Sequence, residues 1–327
     1  MAYYTGSAAN LAAVLTALTS CCETEGWTYS GGILYKADPG IYVRFDATTA
    51  LGSYTPLRMW GQTALSTNET QSYVCCALPI RSVEVTYPVI YHIFVFSSEV
   101  FMVINYSDKF QWLAFGQSDQ PGLDSTGNWI SATCGFLHYT YSTWRYPDQG
   151  INMTNPPSIQ SYGDKTVCPG LGWTGYGYWP YTSGSSMTGM QVNTWVATGL
   201  DPTEDADFTP WTCSVYDSSG HNENITGIRY NSELFLTQPN AFNNEGILLP
   251  IKVIKKRPSS KYSQILQVQN ARHIRVDNYA STEVIALGTD QWMIFPWYCK
   301  NTTTRNGGTN IAHTGTFGWA IKYEPST

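Results

Sequence analysis

Gly315-Thr316-Phe317-Gly318-Trp319-Ala320-Ile321-Lys322-Tyr323 sets Phe317, Trp319, Ile321 and Tyr323 on one side of an extended chain. Thr316, Gly318, Ala320 and Lys322 fall on the other. A period of two predicts a strand with one buried face. Upstream, Arg272-His273-Ile274-Arg275-Val276-Asp277-Asn278-Tyr279 and Trp292-Met293-Ile294-Phe295-Pro296-Trp297-Tyr298 have the same character. Ala280-Ser281-Thr282-Glu283 and Gly288-Thr289-Asp290 between them are turn compositions. Antiparallel strands are therefore expected at 247–254, 262–269, 271–277, 284–287, 292–298 and 316–323.

Towards the N-terminus the period lengthens. Across residues 7–25, Leu11, Val14, Leu15, Leu18 and Cys22 recur at three- and four-residue steps and form one apolar stripe, which predicts a helix. Ser7 can cap its start, and Gly26 can take the left-handed position that stops it before Trp27 turns the chain onward. Thr28-Tyr29, a Ser30-Gly31-Gly32 turn and Ile33-Leu34-Tyr35 read as a hairpin. Asp38-Pro39-Gly40 then leads into Ile41-Tyr42-Val43-Arg44-Phe45. Further strands are expected at 83–87, 89–96, 100–106 and 111–115, with a loop at 116–122. The predicted fold is mainly β with an N-terminal helix: an α+β part over 1–135 and an antiparallel β region over 246–327, the two able to share a sheet. Between them, 136–245 reads as a Gly- and aromatic-rich insertion with short strands near 191–198 and 212–216.

The chain has 327 residues, enough for two ordinary domains or one elaborated β domain. Charged residues make up 13% and aromatics 14%, with 23 Tyr and 12 Trp. That balance opposes disorder and suits β proteins whose surfaces are covered by neighbours, because Tyr and Trp bury large areas around a satisfied polar tip. A monomeric β protein with a neutral surface fits it too. A net charge of −6 disfavours nucleic acid as a partner. The one basic cluster, Lys252, Lys255, Lys256, Arg257 and Lys261, is equally explained by lysines that protect a sheet edge. The start, Met1-Ala2-Tyr3-Tyr4-Thr5-Gly6, lacks the pattern of an export signal, and no window reads as a membrane helix. Eight cysteines (21, 22, 75, 76, 134, 168, 213 and 299) show no metal-ligand spacing. In each adjacent pair one thiol is expected to be buried and the other exposed, and inter-subunit disulfides stay open.

Several of these strings resemble a family of virion structural proteins of tailed bacteriophages. They are Met1-Ala2-Tyr3-Tyr4-Thr5-Gly6 followed by a helix and Gly26-Trp27-Thr28, and the block from Tyr91-His92-Ile93 through Val103-Ile104-Asn105-Tyr106 to residues 110–118. The others are Ile274 to Tyr279, Trp292 to Tyr298, Arg305-Asn306-Gly307-Gly308 and His313-Thr314-Gly315-Thr316-Phe317-Gly318. The resemblance implies a non-enzymatic particle component located in the virion, tail-tip or baseplate-associated, with head-tail neck and capsid decoration as alternatives. Its partners would be copies of itself and other virion proteins, and it would carry no cofactor and no metal.

A search for chemistry supports no enzyme. Phosphate-loop, zinc-protease and serine-hydrolase motifs are absent from the sequence. His92 and His138 lie in strand-like runs that suit hydrogen-bonded core histidines, and His313 sits in a turn. Asp201, Glu204, Asp205 and Asp207 form the one acidic cluster and read as a solvated loop. Residues expected to make contacts between subunits are Leu11, Leu15 and Leu18 on the helix and Trp173, Tyr176, Tyr178, Trp179 and Tyr181 in the insertion. The same rings could stack on sugars, so a host-surface adhesin for glycan or pilus is the second reading. A glycan depolymerase is the third.

Overall fold

The computed structural model describes residues 1–48, 57–62, 64–65, 76–78, 86–107, 109–118, 127–132, 193–196, 224–226, 246–257, 261–276, 278–296, 300 and 317–324. They form one helix and three antiparallel sheets, so the chain is mainly β with an N-terminal helix, as its periodicity predicts.

Strand β1 (Ala2–Ala8) precedes helix α1 (Leu11–Thr24). A small meander follows: β2 (Thr28–Ser30), β3 (Ile33–Lys36), β4 (Ile41–Asp46), β5 (Leu57–Gln62) and β6 (Cys76–Leu78). Gly31 and Gly32, with φ of 60° and 80°, supply the two positive-φ positions of the β2–β3 turn. The central sheet is β1 followed by β7 (Val89–Val95), β8 (Glu99–Tyr106), β9 (Lys109–Gln117), β10 (Asn128–Ala132) and β11 (Asn193–Val196). The third sheet comprises β12 (Asn224–Thr226), β13 (Leu249–Arg257), β14 (Lys261–Arg275), β15 (Val284–Leu287), β16 (Asp290–Pro296) and β17 (Phe317–Tyr323), in the order β12-β13-β14-β17-β16-β15.

The central sheet is covered on both faces. On one, Val89, Ile93, Val95, Val100, Met102, Ile104, Leu113, Phe115 and Ile130 pack against Val14, Leu18 and Cys22 of α1 and against Leu34, Ile41, Val43, Phe45, Leu57 and Met59 of the meander. On the other, Phe94, Phe101, Val103, Phe110, Trp112 and Trp129 meet Leu249, Ile251, Leu266, Val268, Met293, Phe295, Trp319 and Ile321 of the third sheet. Double burial explains why 89–106 is almost continuously apolar, a pattern more usual for parallel strands inside layered folds.

Four expectations need correcting. The C-terminal strands do not share a sheet with the N-terminal part; they form their own and pack face to face against it. Residues 262–269 and 271–277, expected as two strands, belong to the continuous β14, which ends at Arg275. The helix starts at Leu11, not residue 7: Ser7 lies in β1, and Asn10 is the cap, its Oδ1 accepting from Ala13 N at 2.8 Å. Finally, β17 buries both faces. Trp319 and Ile321 enter the inter-sheet core, while Ala320 packs with Ile274, Val276, Tyr279, Trp292 and Ile294 on the outer side.

Gly26 does end the helix at φ 81°, and Trp27 turns inward to meet Phe115 edge-on. Strands β11 and β12 place two short pieces of the insertion on the edges of different sheets. The loop expected at 116–122 begins later, since Gly116 and Gln117 are still in β9. The strands expected at 212–216 and over 83–85 lie outside the described residues.

Candidate interaction surfaces

On the helix, Leu18 is fully buried, while Leu11 and Leu15 are half-buried and pack against the same core. The apolar stripe is thus engaged within the chain, which leaves the opposite face of α1 outward. Trp173, Tyr176, Tyr178, Trp179 and Tyr181 lie outside the described residues, as do His138, His313 and the acidic cluster at 201–207. Cys22 is buried and Cys21 half-buried, both as free thiols; burial raises the pKa of each, most strongly for Cys22.

The basic cluster does not line a bare edge. Val253, Ile254 and Lys255 of β13 pair with β12 on one side, and the strand pairs along its length with β14 on the other. Pro250 lies before the β12 pairing begins, so its missing N–H costs no bond to β12.

Among the described residues, a concentrated set of polar contacts lies between the two large sheets. Sequence reasoning passed over Glu99, which is completely buried at the start of β8. Its Oε1 accepts from Gln269 N at 2.8 Å, and its Oε2 accepts from Asn270 N at 2.8 Å and Asn270 Nδ2 at 2.9 Å. Those amides sit where β14 breaks register, between the pairs Ile251↔Val268 and Pro250↔Arg272. The Arg272 guanidinium takes the complementary part. Its Nη1 donates to Gln269 O and Ala271 O, both at 2.7 Å, and the group lies 5.2 Å from the Trp292 ring centre. One carboxylate and one guanidinium thus satisfy backbone groups that the sheet leaves over. Burial pushes the Glu99 carboxyl up to about 7, against the pull of the amide donors and the Arg272 charge. The sequence signal was slight: a lone Glu between Ser98 and Val100 in an apolar run.

His92 is buried as expected, with Nδ1 2.8 Å from Tyr3 Oη and its ring beside Phe295. Burial lowers its pKa to about 4 and that of His273 to about 3. Among the described residues no group of three His, Cys, Asp or Glu side chains could hold a metal ion. A shallow open depression of about 150 Å³ is lined by Thr289, Asp290, Gln291, Lys322, Tyr323 and Glu324, with Lys322 Nζ 3.0 Å from Asp290 Oδ1. Described large apolar side chains left exposed include Ile90 in β7 and, close together on one hairpin, Val284 and Leu287. No described helix is long and apolar enough to cross a membrane. The chain matches no protein-family model, and no curated protein matches it.

Proposed function

We propose that this chain is a non-enzymatic structural component of a tailed bacteriophage particle, placed at the tail tip or baseplate and working through contacts among several copies and with other virion proteins. The observation that carries it is where the phage-like strings fall. Of the described residues in these strings, 91–107 and 109–118 run through β7, β8 and β9, Ile274 and Arg275 end β14, 292–296 lie in β16, and Phe317 and Gly318 open β17. These strands build the core between the two large sheets, so the resemblance concerns the scaffold and not a peripheral loop. Low charge with abundant aromatics adds support, since such surfaces lose little when neighbours cover them.

The test is quantitative mass spectrometry of particles purified from a host that carries the gene. The chain is expected in a fixed stoichiometry of more than one copy. Its absence from purified particles would overturn the proposal, as would shortening of host polysaccharide by the isolated protein.

A further inference from the structure

We propose that β15 is a self-association edge, through which two copies of this chain join antiparallel strands across a twofold axis. This deepens the multi-copy reading above and rests on it. The strand closes the third sheet, and among the described strands only β16 pairs with it. Its sequence, Val284-Ile285-Ala286-Leu287, has no charge and no proline, so what blunts this edge is its length of 4 residues and the irregular step at Thr282 and Glu283 just before it.

Hairpin geometry shows which backbone groups are open. Leu287 and Asp290 flank the two-residue Gly288-Thr289 turn, so they form a hydrogen-bonded pair, and alternate positions follow suit. Ile294 N donates to Glu283 O, which continues that alternation through 285 and 287. The N–H and C=O groups of Val284 and Ala286 therefore point away from β16. Antiparallel pairing centred on Ile285 lets Val284 of each copy exchange both bonds with Ala286 of the other. Ile285 then faces its own counterpart, and Leu287 lies beside Glu283. Val284, 41% exposed, gains an apolar neighbour, and no like charges meet. The nearby charges are held within the chain: Glu283 Oε2 accepts from Ala280 N at 2.7 Å, and Asp290 pairs with Lys322. The contact is isologous, so it closes at two copies.

A strand of 4 residues buries less than a stable dimer needs, so the free chain should pair weakly and reversibly. Sedimentation velocity of the full chain over a concentration series into the millimolar range tests this. The mass is expected to rise from one copy to two. Ala286→Pro removes an outward N–H that β16 does not use, and Val284→Lys charges the edge. Each should weaken pairing about ten-fold or more while leaving the unfolding midpoint near that of the unaltered protein. A monomer at every concentration overturns the proposal. Unchanged pairing in both variants also overturns it, while leaving the multi-copy reading intact; that reading is judged separately by copy number in particles.

Discussion

Gly318 lies opposite Pro296, and a β-carbon there would sit 2.0 Å from Phe295 O, a backbone atom that cannot step aside. Gly6 is equally crowded, but by the ring of Tyr91, whose hydroxyl would be 2.4 Å away and can swing out. Gly318→Ala should therefore cost about 3 kcal/mol or more by urea unfolding, and Gly6→Ala about 1 kcal/mol. Equal losses would mean that β17 can shift. Glu99→Ala leaves buried amides of Gln269 and Asn270 without acceptors and should cost about 3 kcal/mol in the same measurement. Trp319, fully buried with its ring centre 4.7 Å from that of Trp112, was assigned from sequence to the correct face of its strand. Glu99 was not, since its partners lie about 170 residues away in sequence and local pattern carries no trace of them.

Among the elements, α1 shows how a right assignment can carry a wrong boundary. The apolar stripe of Leu11, Val14, Leu15, Leu18 and Cys22 gave the helix, but Ser7 and Asn10 are both good caps by composition. Pairing of Ser7 with Ile90 settles the choice, because a residue in a β ladder cannot also cap a helix three residues later. Asn10→Ala should lower stability by about 1 kcal/mol and Ser7→Ala by only a few tenths, measured by thermal unfolding. Equal effects would place the cap elsewhere. Strand β1 itself was missed. Tyr3 and Met1 pack into the inter-sheet core while Tyr4 and Ala8 pack on the helix side, so its two faces look alike in sequence.

For the whole molecule, burial of ionisable groups in the core gives opposing pH dependences. His92 and His273 have pKa values below the ordinary 6.5, so stability they contribute is complete above 6.5 and declines as pH falls towards 4 and 3. Glu99 is raised from 4.5 to about 7, so its contribution is complete below 4.5 and is lost as pH rises through 7. The stability difference between the unaltered protein and Glu99→Gln should thus favour the former more at about pH 5 than at about pH 8, by on the order of 3 kcal/mol. A difference that does not change with pH would mean that Glu99 stays ionised throughout.

Periodicity alone was enough for the helix, for strands such as β4, β7, β8, β16 and β17 and for the Gly31-Gly32 and Gly26 turns, because these depend on neighbours a few residues apart, whereas β1, β5, β6, β10 and β12 went unread. Sheet membership was beyond its reach. Nothing local distinguishes strands that extend one sheet from strands that face it, and here long-range packing put β13 to β17 across from the central sheet. The contact residues in the insertion remain an expectation of composition. The edge at β15 emerged only with topology, since an apolar run of this length is the same in sequence whether it closes a sheet or lies inside one.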